Sequence, residues 1–364
     1  MSRKLRIAID AMGGDRAPGA AVHGAVEAAR LSRGHCTMVL VGDEQTVKRE
    51  LDRHFRVGEL DIEVVHAPEK VEMHESPAQA VRQKKNSSIA VAMRLHREGQ
   101  VDAVVGAGHT GVMMATALLT LGRMPGVQRP AIGTVLPTMH GRVLLLDVGA
   151  NSDCKPTHLY QFGVMGSVFM SGLFDLEAPR VGLLSIGEES TKGSELVLQA
   201  HKLLARSELN FIGNVEGGDI LRDVADVVVT DGFTGNVILK FAESVEKLYS
   251  LSLRRKIGRR VFSLLGAWLL KPTFKRLKEV FDYQQYGGAP LLGVKGTVII
   301  CHGKSTPKAI RNAVKEARKM IESGVNEHIA ARLSEWSGKQ SGKESDLEDS
   351  GNGARRPQET AHER

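Results

Sequence analysis

Six times along this chain a short apolar run ends in a glycine-bearing polar turn that opens into a helical pattern. The runs begin at "LRIAIDAMGGD", "VDAVVGAGHTGVMMATALL" and "RVLLLDVGANSDCKPTHLYQFGVMG". They return at "RVGLLSIGEESTKGSELVLQAHKLL", "ADVVVTDGFTGNVILKFAESVEKLYSL" and "GTVIICHGKSTPKAIRNAVKEARKMI". What they share is the strand–turn–helix order, so they are βα units and not solenoid repeats. Val-, Ile- and Leu-rich strands that alternate with helices specify a mostly parallel sheet covered on both faces. "TMVLVG", "IEVVH" and "AIGTVLP" read as further strands. With 364 residues, 42% of them hydrophobic, the chain can build one large domain or two closely joined lobes. Its 39 glycines and 4% aromatic content agree with many tight turns and an aliphatic core.

In a parallel sheet the turns after the strands gather at one edge, and ligands bind there. The six turns carry Asp, Asn, Thr, His and Lys among their glycines, which predicts one shared anion site. "GAGHTG", Gly106 to Gly111, has the spacing of a dinucleotide-binding turn between a strand and a helix. Such a site also needs an acidic residue about 20 positions on for the ribose, and no Asp or Glu lies between Gly111 and Asp147. What remains is backbone able to approach an anion and a helix N-terminus with free N–H groups. "DGFTGN", Asp231 to Asn236, offers the same, with Thr234 and Asn236 as donors or helix caps. Asp231 either orients a Lys or His or satisfies the N–H groups of its own turn. Cations to hold phosphate are Arg82, Lys84 and Lys85 in "AVRQKKNSS", Lys192 after "GEEST", and Lys304 after Cys301, His302 and Gly303.

Several reactive signatures are missing. The chain has no GxxxxGK[ST], no HExxH and no His/Asp/Glu cluster at metal-ligand spacing, and "LLSIG" lacks the first glycine of a G-x-S-x-G nucleophile elbow. The pattern left is a phosphate-rich site with no evident protein nucleophile and no metal. Cys36, Cys154 and Cys301 are far apart and form no CxxC pair, which predicts a reducing, cytosolic setting. The net charge of +7 favours acidic partners: nucleic acid, an anionic membrane, a phosphorylated substrate or an acidic carrier protein. "MSRKLRIAID" lacks a signal-peptide core, and no apolar run reaches the roughly 18 residues needed to span a bilayer.

One stretch departs from the enzyme pattern: "RRVFSLLGAWLLKPTFKRLK", residues 259–278. A helical period places Ile257, Val261, Leu264, Leu265 and Trp268 on one face, with Arg254, Arg255, Arg259 and Arg260 beside it. Lys271 and Pro272 end the run, and Phe274, Leu277, Val280 and Phe281 begin a second stripe. An amphipathic helical hairpin over about 251–282 is predicted, its apolar tip framed by cations as in helices that lie among lipid headgroups. Core packing and a dimer contact are the alternatives. Residues 336–364 hold one large aliphatic side chain, Leu347, and are read as a disordered polar tail after a domain of residues 1–335.

"IAIDAMGGD", "GAGHTG", "LDVGAN", "LLSIGEE", "DGFTGNVILK" and "YGGAPLLGVKGTVI" together resemble the signature blocks of PlsX-type phosphate acyltransferases, in that family's order and over about residues 5–333. The resemblance implies a three-layer α/β/α fold similar to phosphate acetyltransferases and to isocitrate and isopropylmalate dehydrogenases. It implies synthesis of acyl phosphate from acyl-[acyl-carrier protein] and inorganic phosphate, feeding phospholipid synthesis through a downstream glycerol-3-phosphate acyltransferase. A cytoplasmic homodimer attached peripherally to an anionic membrane is implied too, with no cofactor, no metal and no nucleic-acid partner.

On this reading Asp10, Gly13, Gly14, Asp15, Arg82, Lys85, Gly108, His109, Thr110, Asn151, Glu188, Gly232 and Thr234 bind phosphate or shape its cradle. Lys192, Asp231, Asn236, His302 and Lys304 are the catalytic candidates. Ile257, Val261, Leu264, Leu265, Trp268 and Leu269 meet the membrane. Two blocks depart from the family pattern: His109 stands where "AGNTG" has Asn, and Gly217 and Gly218 stand where Ala and a basic or amide residue are common. A phosphate dianion can attack a thioester with little help from a base, so catalysis rests on proximity and on stabilising the oxyanion. A phosphate acetyltransferase acting on acetyl-CoA would share this site logic without needing the apolar tip. A non-catalytic membrane scaffold would need the tip without the polar turns.

Overall fold

Alternate residues of the strands point to opposite faces of a sheet, and here both faces are apolar. The computed structural model describes residues 3–257, 269, 270, 272 and 287–335. The chain opens with β1 (Leu5–Asp10), α1 (Gly19–Ser32), β2 (Cys36–Gly42), α2 (Glu44–Leu51) and β3 (Ile62–His66). Then come α3 (Pro77–Gln83), α4 (Ser88–Arg97), β4 (Ala103–Gly106) and α5 (Thr110–Thr120). A hairpin of β5 (Ala131–Pro137) and β6 (Arg142–Leu146) leads to α6 (Pro156–Phe174), β7 (Val181–Leu184) and α7 (Glu195–Ala205). Next are β8 (Phe211–Val215), β9 (Val227–Val229) and α8 (Gly232–Ile257). Last come β10 (Ala289–Leu292), β11 (Thr297–Ile300), α9 (Pro307–Glu322) and a helical stretch over 325–335.

Among the described residues one 11-stranded sheet runs β3-β2-β1-β4-β11-β10-β5-β6-β9-β7-β8. Ile7, Ile9, Met38, Leu40, Leu144 and Leu146 pack on one face with Val22 and Val26 of α1, Phe162 and Phe169 of α6, and Ile310 and Val314 of α9. Their neighbours Ala8, Val39, Val41 and Leu145 face the other way, onto Ile89 and Met93 of α4 and Val112 and Met113 of α5. The result is three layers, α/β/α, with a core on each side of the sheet, as expected for strands apolar at every position.

The pairings correct the expectation that the six turns share one edge. β3, β2, β1, β4 and β11 are mutually parallel, and so are β6, β9, β7 and β8. Between these groups β11–β10, β10–β5 and β5–β6 are antiparallel. Three reversals leave the two groups running in opposite senses. The turns after β1, β4 and β11 therefore leave one edge of the sheet, and those after β6, β7 and β9 leave the other.

The seam of β4 with β11 is fastened by a histidine. The Thr297 N–H donates to His96 Nε2 at 3.0 Å, so Nδ1 carries the proton and donates to the Val101 carbonyl, also at 3.0 Å. Burial pulls the His96 pKa down and favours this neutral form. Gly296 packs so closely that a Cβ there would collide with the ring.

Glu316 of α9 is a costlier feature. Both its carboxylate oxygens are buried without a hydrogen-bond partner among the described residues, and desolvation raises its pKa well above 4.5, with Lys319 offsetting part of the rise. The folded state thus holds a proton that the unfolded chain releases as pH rises above 4.5, so this residue's contribution to stability is lost with rising pH. Glu316→Gln should raise the melting temperature more at pH 8 than at pH 5. Parallel melting curves across that range would show that the carboxyl is not kept neutral by the fold.

Candidate active site

At the first edge three turns touch one another. The Asp15 N–H donates to the Gly303 carbonyl at 2.8 Å, and the Cys301 N–H to the Gly106 carbonyl at 2.7 Å. Gly14 has φ +96° and sits so close that a Cβ would come within 3.0 Å of the Gly303 carbonyl and 3.1 Å of that of Ala107. A Cβ on Gly13 would meet the Gly108 N at 2.8 Å. These glycines let the turns after β1, β4 and β11 stack backbone on backbone.

Asp10 closes β1 beneath them, and its Oδ1 accepts the Met12 N–H at 3.1 Å. Burial raises its pKa, while Ser88, Met12 and Gly13 offset part of that rise. The N–H groups of Gly14, Gly108 and Thr110 make no hydrogen bond among the described residues. Lys304 is exposed beside them and has no acidic partner there. α3 packs on the first turn of α5 through Pro77, 3.0 Å from where a Gly111 Cβ would stand. It carries Arg82, with Lys85 just beyond, and both are exposed and unpaired among the described residues. Lys84 is committed to Glu75 and to the Lys70 carbonyl. Asp15 is exposed at the rim.

The second edge is built differently. Asp147, fully buried after β6, accepts five hydrogen bonds. Oδ1 takes the N–H groups of Ile132, Gly149 and Ala150 at 3.1, 3.1 and 2.9 Å. Oδ2 takes the Asn151 N–H at 2.7 Å and its Nδ2 at 2.9 Å. The Asn151 amide also donates to the Pro130 carbonyl at 2.7 Å, so both its protons serve the turn. Burial raises the Asp147 pKa, and these donors offset part of the rise.

α8 begins directly on this turn. The Gly232 N–H donates to the Asn151 carbonyl at 2.7 Å, and a Cβ on Gly235 would collide with the Asp147 carbonyl. Asp231 caps the helix, taking the Thr234 N–H at 2.9 Å and its hydroxyl at 2.7 Å. Of the two roles open to Asp231, the structure gives it the local one. The glycines of "DGFTGN" serve close approach of a helix to a turn, and the Thr234 proton is already spent. Asn236 is exposed beside Gly149 and has no partner among the described residues. The neighbouring turn after β7 adds Lys192 and Glu188, both exposed, with Lys192 Cγ 3.1 Å from a Gly187 Cβ position.

Sequence comparison now identifies the chain. The profile described as "Fatty acid synthesis protein" matches residues 5–328. The phosphate acyltransferase of Syntrophotalea carbinolica is 50% identical over 333 residues, which cover 92% of this chain and 95% of that protein. This chain belongs to the phosphate acyltransferase family. The phosphate acyltransferase of Pelotomaculum thermopropionicum is 49% identical over 329 residues, 90% of this chain and 95% of its own. Two solved structures share the fold at low identity. A phosphotransacetylase from Streptococcus pyogenes aligns with TM-score 0.59 and 17% identity over 88% of this chain and 95% of its own. The EutD phosphotransacetylase from Staphylococcus aureus gives 0.56 and 18% over 87% and 94%. The protein is thus an acyltransferase that uses phosphate, on an α/β fold shared with phosphotransacetylases.

In this phosphate acyltransferase the first-edge turns bring together Asp10, Gly13, Gly14, Asp15, Gly108, His109, Thr110, His302 and Lys304. Asn151, Asp231, Gly232, Thr234 and Asn236 form the second group. Val261, Leu264, Leu265 and Trp268 lie outside the described residues, as do most of the proposed hairpin and the 336–364 tail. Ile257 ends α8, and Leu269 is 64% exposed. Among the described residues no helix is long and apolar enough to cross a membrane.

Asp147 is absent from the residues singled out in the sequence. Its signal was the one that marked Asp10: an aspartate closing an apolar strand before a glycine turn. Asp147→Asn would turn an amide N–H toward the converging donors, with an expected loss of about 2–4 kcal/mol in urea unfolding. An unchanged midpoint would remove the carboxylate from its place as the organiser of this turn.

Proposed function

We propose that the enzyme transfers a fatty acyl group from acyl-[acyl-carrier protein] to inorganic phosphate, releasing acyl phosphate and the carrier thiol. The observation that carries the reading is the first-edge group: stacked glycine turns with N–H groups and a Lys304 side chain that have no partner among the described residues; Arg82 and Lys85, on and just after neighbouring α3, are assigned to the same anion. That is a cradle for a small dianion. A phosphate oxygen attacks the thioester carbonyl carbon, and a tetrahedral oxyanion forms. The C–S bond then breaks, and the thiolate leaves with the electron pair to be protonated by water. Proximity and oxyanion stabilisation supply the rate.

No protein nucleophile is required. Cys154, beside Asn151, has its thiol pushed up to about 12 by burial and by the nearby Asp147, Asp231 and Asp153. Cys301 is buried, and desolvation pushes its thiol higher still. Neither offers a thiolate at neutral pH.

The second-edge residues Asn236 and Lys192 are assigned to the acyl donor. Strands twist by about 20–25° each, so the six pairings from β1 to β9 turn the strand axis by about 120–150°. That swing returns the carboxyl ends of oppositely directed strands toward a common side, where both groups can serve one substrate.

The test is direct. Palmitoyl-carrier protein and phosphate should give acyl phosphate and free thiol, with Cys154→Ala active and Lys304→Ala and Asn236→Ala each at least about 30-fold slower in kcat/KM. Turnover of acetyl-CoA but not of the carrier-protein thioester would favour the acetyltransferase reading. Full activity of Asn236→Ala would confine the chemistry to the first edge.

Assembly is part of the proposal. α8 carries Phe233, Val237, Phe241, Val245, Leu248 and Leu251 at spacings of four and three, and all are exposed. That stripe runs along one side of a 26-residue helix, about 39 Å long at 1.5 Å per residue. A second copy of the chain is the occupant that fits so long an apolar face, giving the homodimer. The rest of the segment expected over about 251–282, beyond the end of α8 at Ile257, is assigned to an anionic membrane surface and holds the cytoplasmic enzyme peripherally where a fatty product is delivered to the next acyltransferase of phospholipid synthesis. Phe241→Glu should convert a dimer to a monomer in light scattering, and an unchanged mass would move the interface elsewhere.

A further inference from the structure

We infer that His109 serves this site as a hydrogen-bond donor to phosphate through Nε2–H and is not the base of the reaction. The inference rests on the phosphate cradle proposed above. His109 is the N-cap of α5, an 11-residue helix, with extended backbone (φ −64°, ψ 114°). The Gly111 N–H donates to its Nδ1 at 3.1 Å. A neutral imidazole has one acceptor nitrogen and one N–H. With Nδ1 occupied as acceptor, the proton resides on Nε2. That nitrogen has no partner among the described residues.

Gly111 leaves room for the ring: a Cβ there would stand 3.3 Å from His109 Cε1, a tight contact to which the imidazole would have to give. His109 thus does two jobs with two nitrogens: one satisfies a helix-end N–H, and the other adds a donor to a helix N-terminus whose Thr110 N–H has no partner among the described residues.

A second group at the same turn calls for a ligand-linked explanation. Asp10 Oδ2 is buried, makes no hydrogen bond of its own among the described residues, and lies against Gly13 and Gly108, the residue just before the cap. An unpaired buried carboxyl oxygen is a cost that packing alone does not justify. Holding the glycine turns with their N–H groups unspent would explain it. The adjacent turn repeats the histidine arrangement: the Lys304 N–H donates to His302 Nδ1 at 3.0 Å, on the strand whose Ile300 pairs with Gly106. Two imidazoles at neighbouring strand ends therefore share one tautomer, in which neither Nδ1 is available to take a proton from substrate. That fits a reaction whose nucleophile arrives already ionised.

Phosphate is the probe, with the full-length protein throughout. Titration of inorganic phosphate by calorimetry, and kinetics with phosphate varied at saturating acyl donor, should show His109→Asp weakened about 100-fold or more. Asp is a strong N-cap, so this variant keeps α5 capped while it sets a negative charge in place of the donor. His109→Ala should lose about 10-fold, and His109→Asn, which offers both an acceptor and an N–H, should recover most of that. The KM for the acyl donor should stay within about twofold, since the lost contact is to phosphate alone. Nitrogen-15 spectra of histidine-labelled enzyme should show His109 with Nε2 protonated.

Wild-type phosphate affinity in His109→Asp, or a His109 protonated at Nδ1 alone, would overturn the inference. If the wild type binds phosphate with His109 in the stated tautomer but makes no acyl phosphate, the inference stands and the proposed reaction falls. If it makes acyl phosphate and His109→Asp is unimpaired, the reverse holds.

Discussion

The architecture turns on β10, a strand of four residues. Leu291 and Leu292 pair with Ile132 and Ala131 of β5, and Ala289 and Pro290 pair with Ile300 and Ile299 of β11, both in antiparallel sense. This short strand and the β5–β6 hairpin join two parallel half-sheets of opposite direction into one hydrogen-bonded surface. Because the sheet is continuous, every strand but the outer two has its backbone groups satisfied by neighbours. Because it reverses, the glycine-bearing turns fall into two groups. Whether those groups serve one substrate is then a question of twist and not of strand order.

The two groups solve opposite problems with similar letters. Asp10 and Asp147 each close an apolar strand ahead of a glycine turn. Asp147 is saturated by donors from its own loop and from Ile132, so it organises a turn on which a helix can start. Asp10 has one oxygen with no donor, and the turns above it keep N–H groups unspent. A saturated turn is rigid scaffold. An unsaturated one holds hydrogen-bonding capacity that a ligand can use. That contrast, more than the number of glycines, separates the second-edge support from the phosphate cradle proposed at the first edge. It also fits chemistry without a protein nucleophile: what the cradle offers an incoming anion is donors and positive charge.

α8 connects the scaffold to the surface. Its first turn is fixed against Asn151 and Asp147, and Ile238 and Leu239 pack on the core beside the sheet. Its other side stays apolar and exposed, with Phe233 at 66% and Phe241 at 70%. The exposed face and the Asp231–Asn236 turn thus belong to one helix.

The sequence determined the layers. Strands apolar at every position can be buried only between two coats of helices, and the recurrence of strand, turn and helix left little other than a mostly parallel sheet. It also marked most polar residues of both turn groups, because glycine and small polar residues at strand ends are a local requirement of tight βα turns. β10 escaped notice because "APLL" is short and contains proline, and its strand character comes from flanking partners that lie 159 and 161 positions back and nine and 11 positions on. Only the tertiary structure decided the reversal of strand sense, the saturation of Asp147, the local duty of Asp231 and the nitrogen on which His109 keeps its proton. The reversal and the Ile132 bond to Asp147 depend on which distant segments pack together, whereas Asp231 and His109 bond within three residues, in turn conformations that the folded backbone holds.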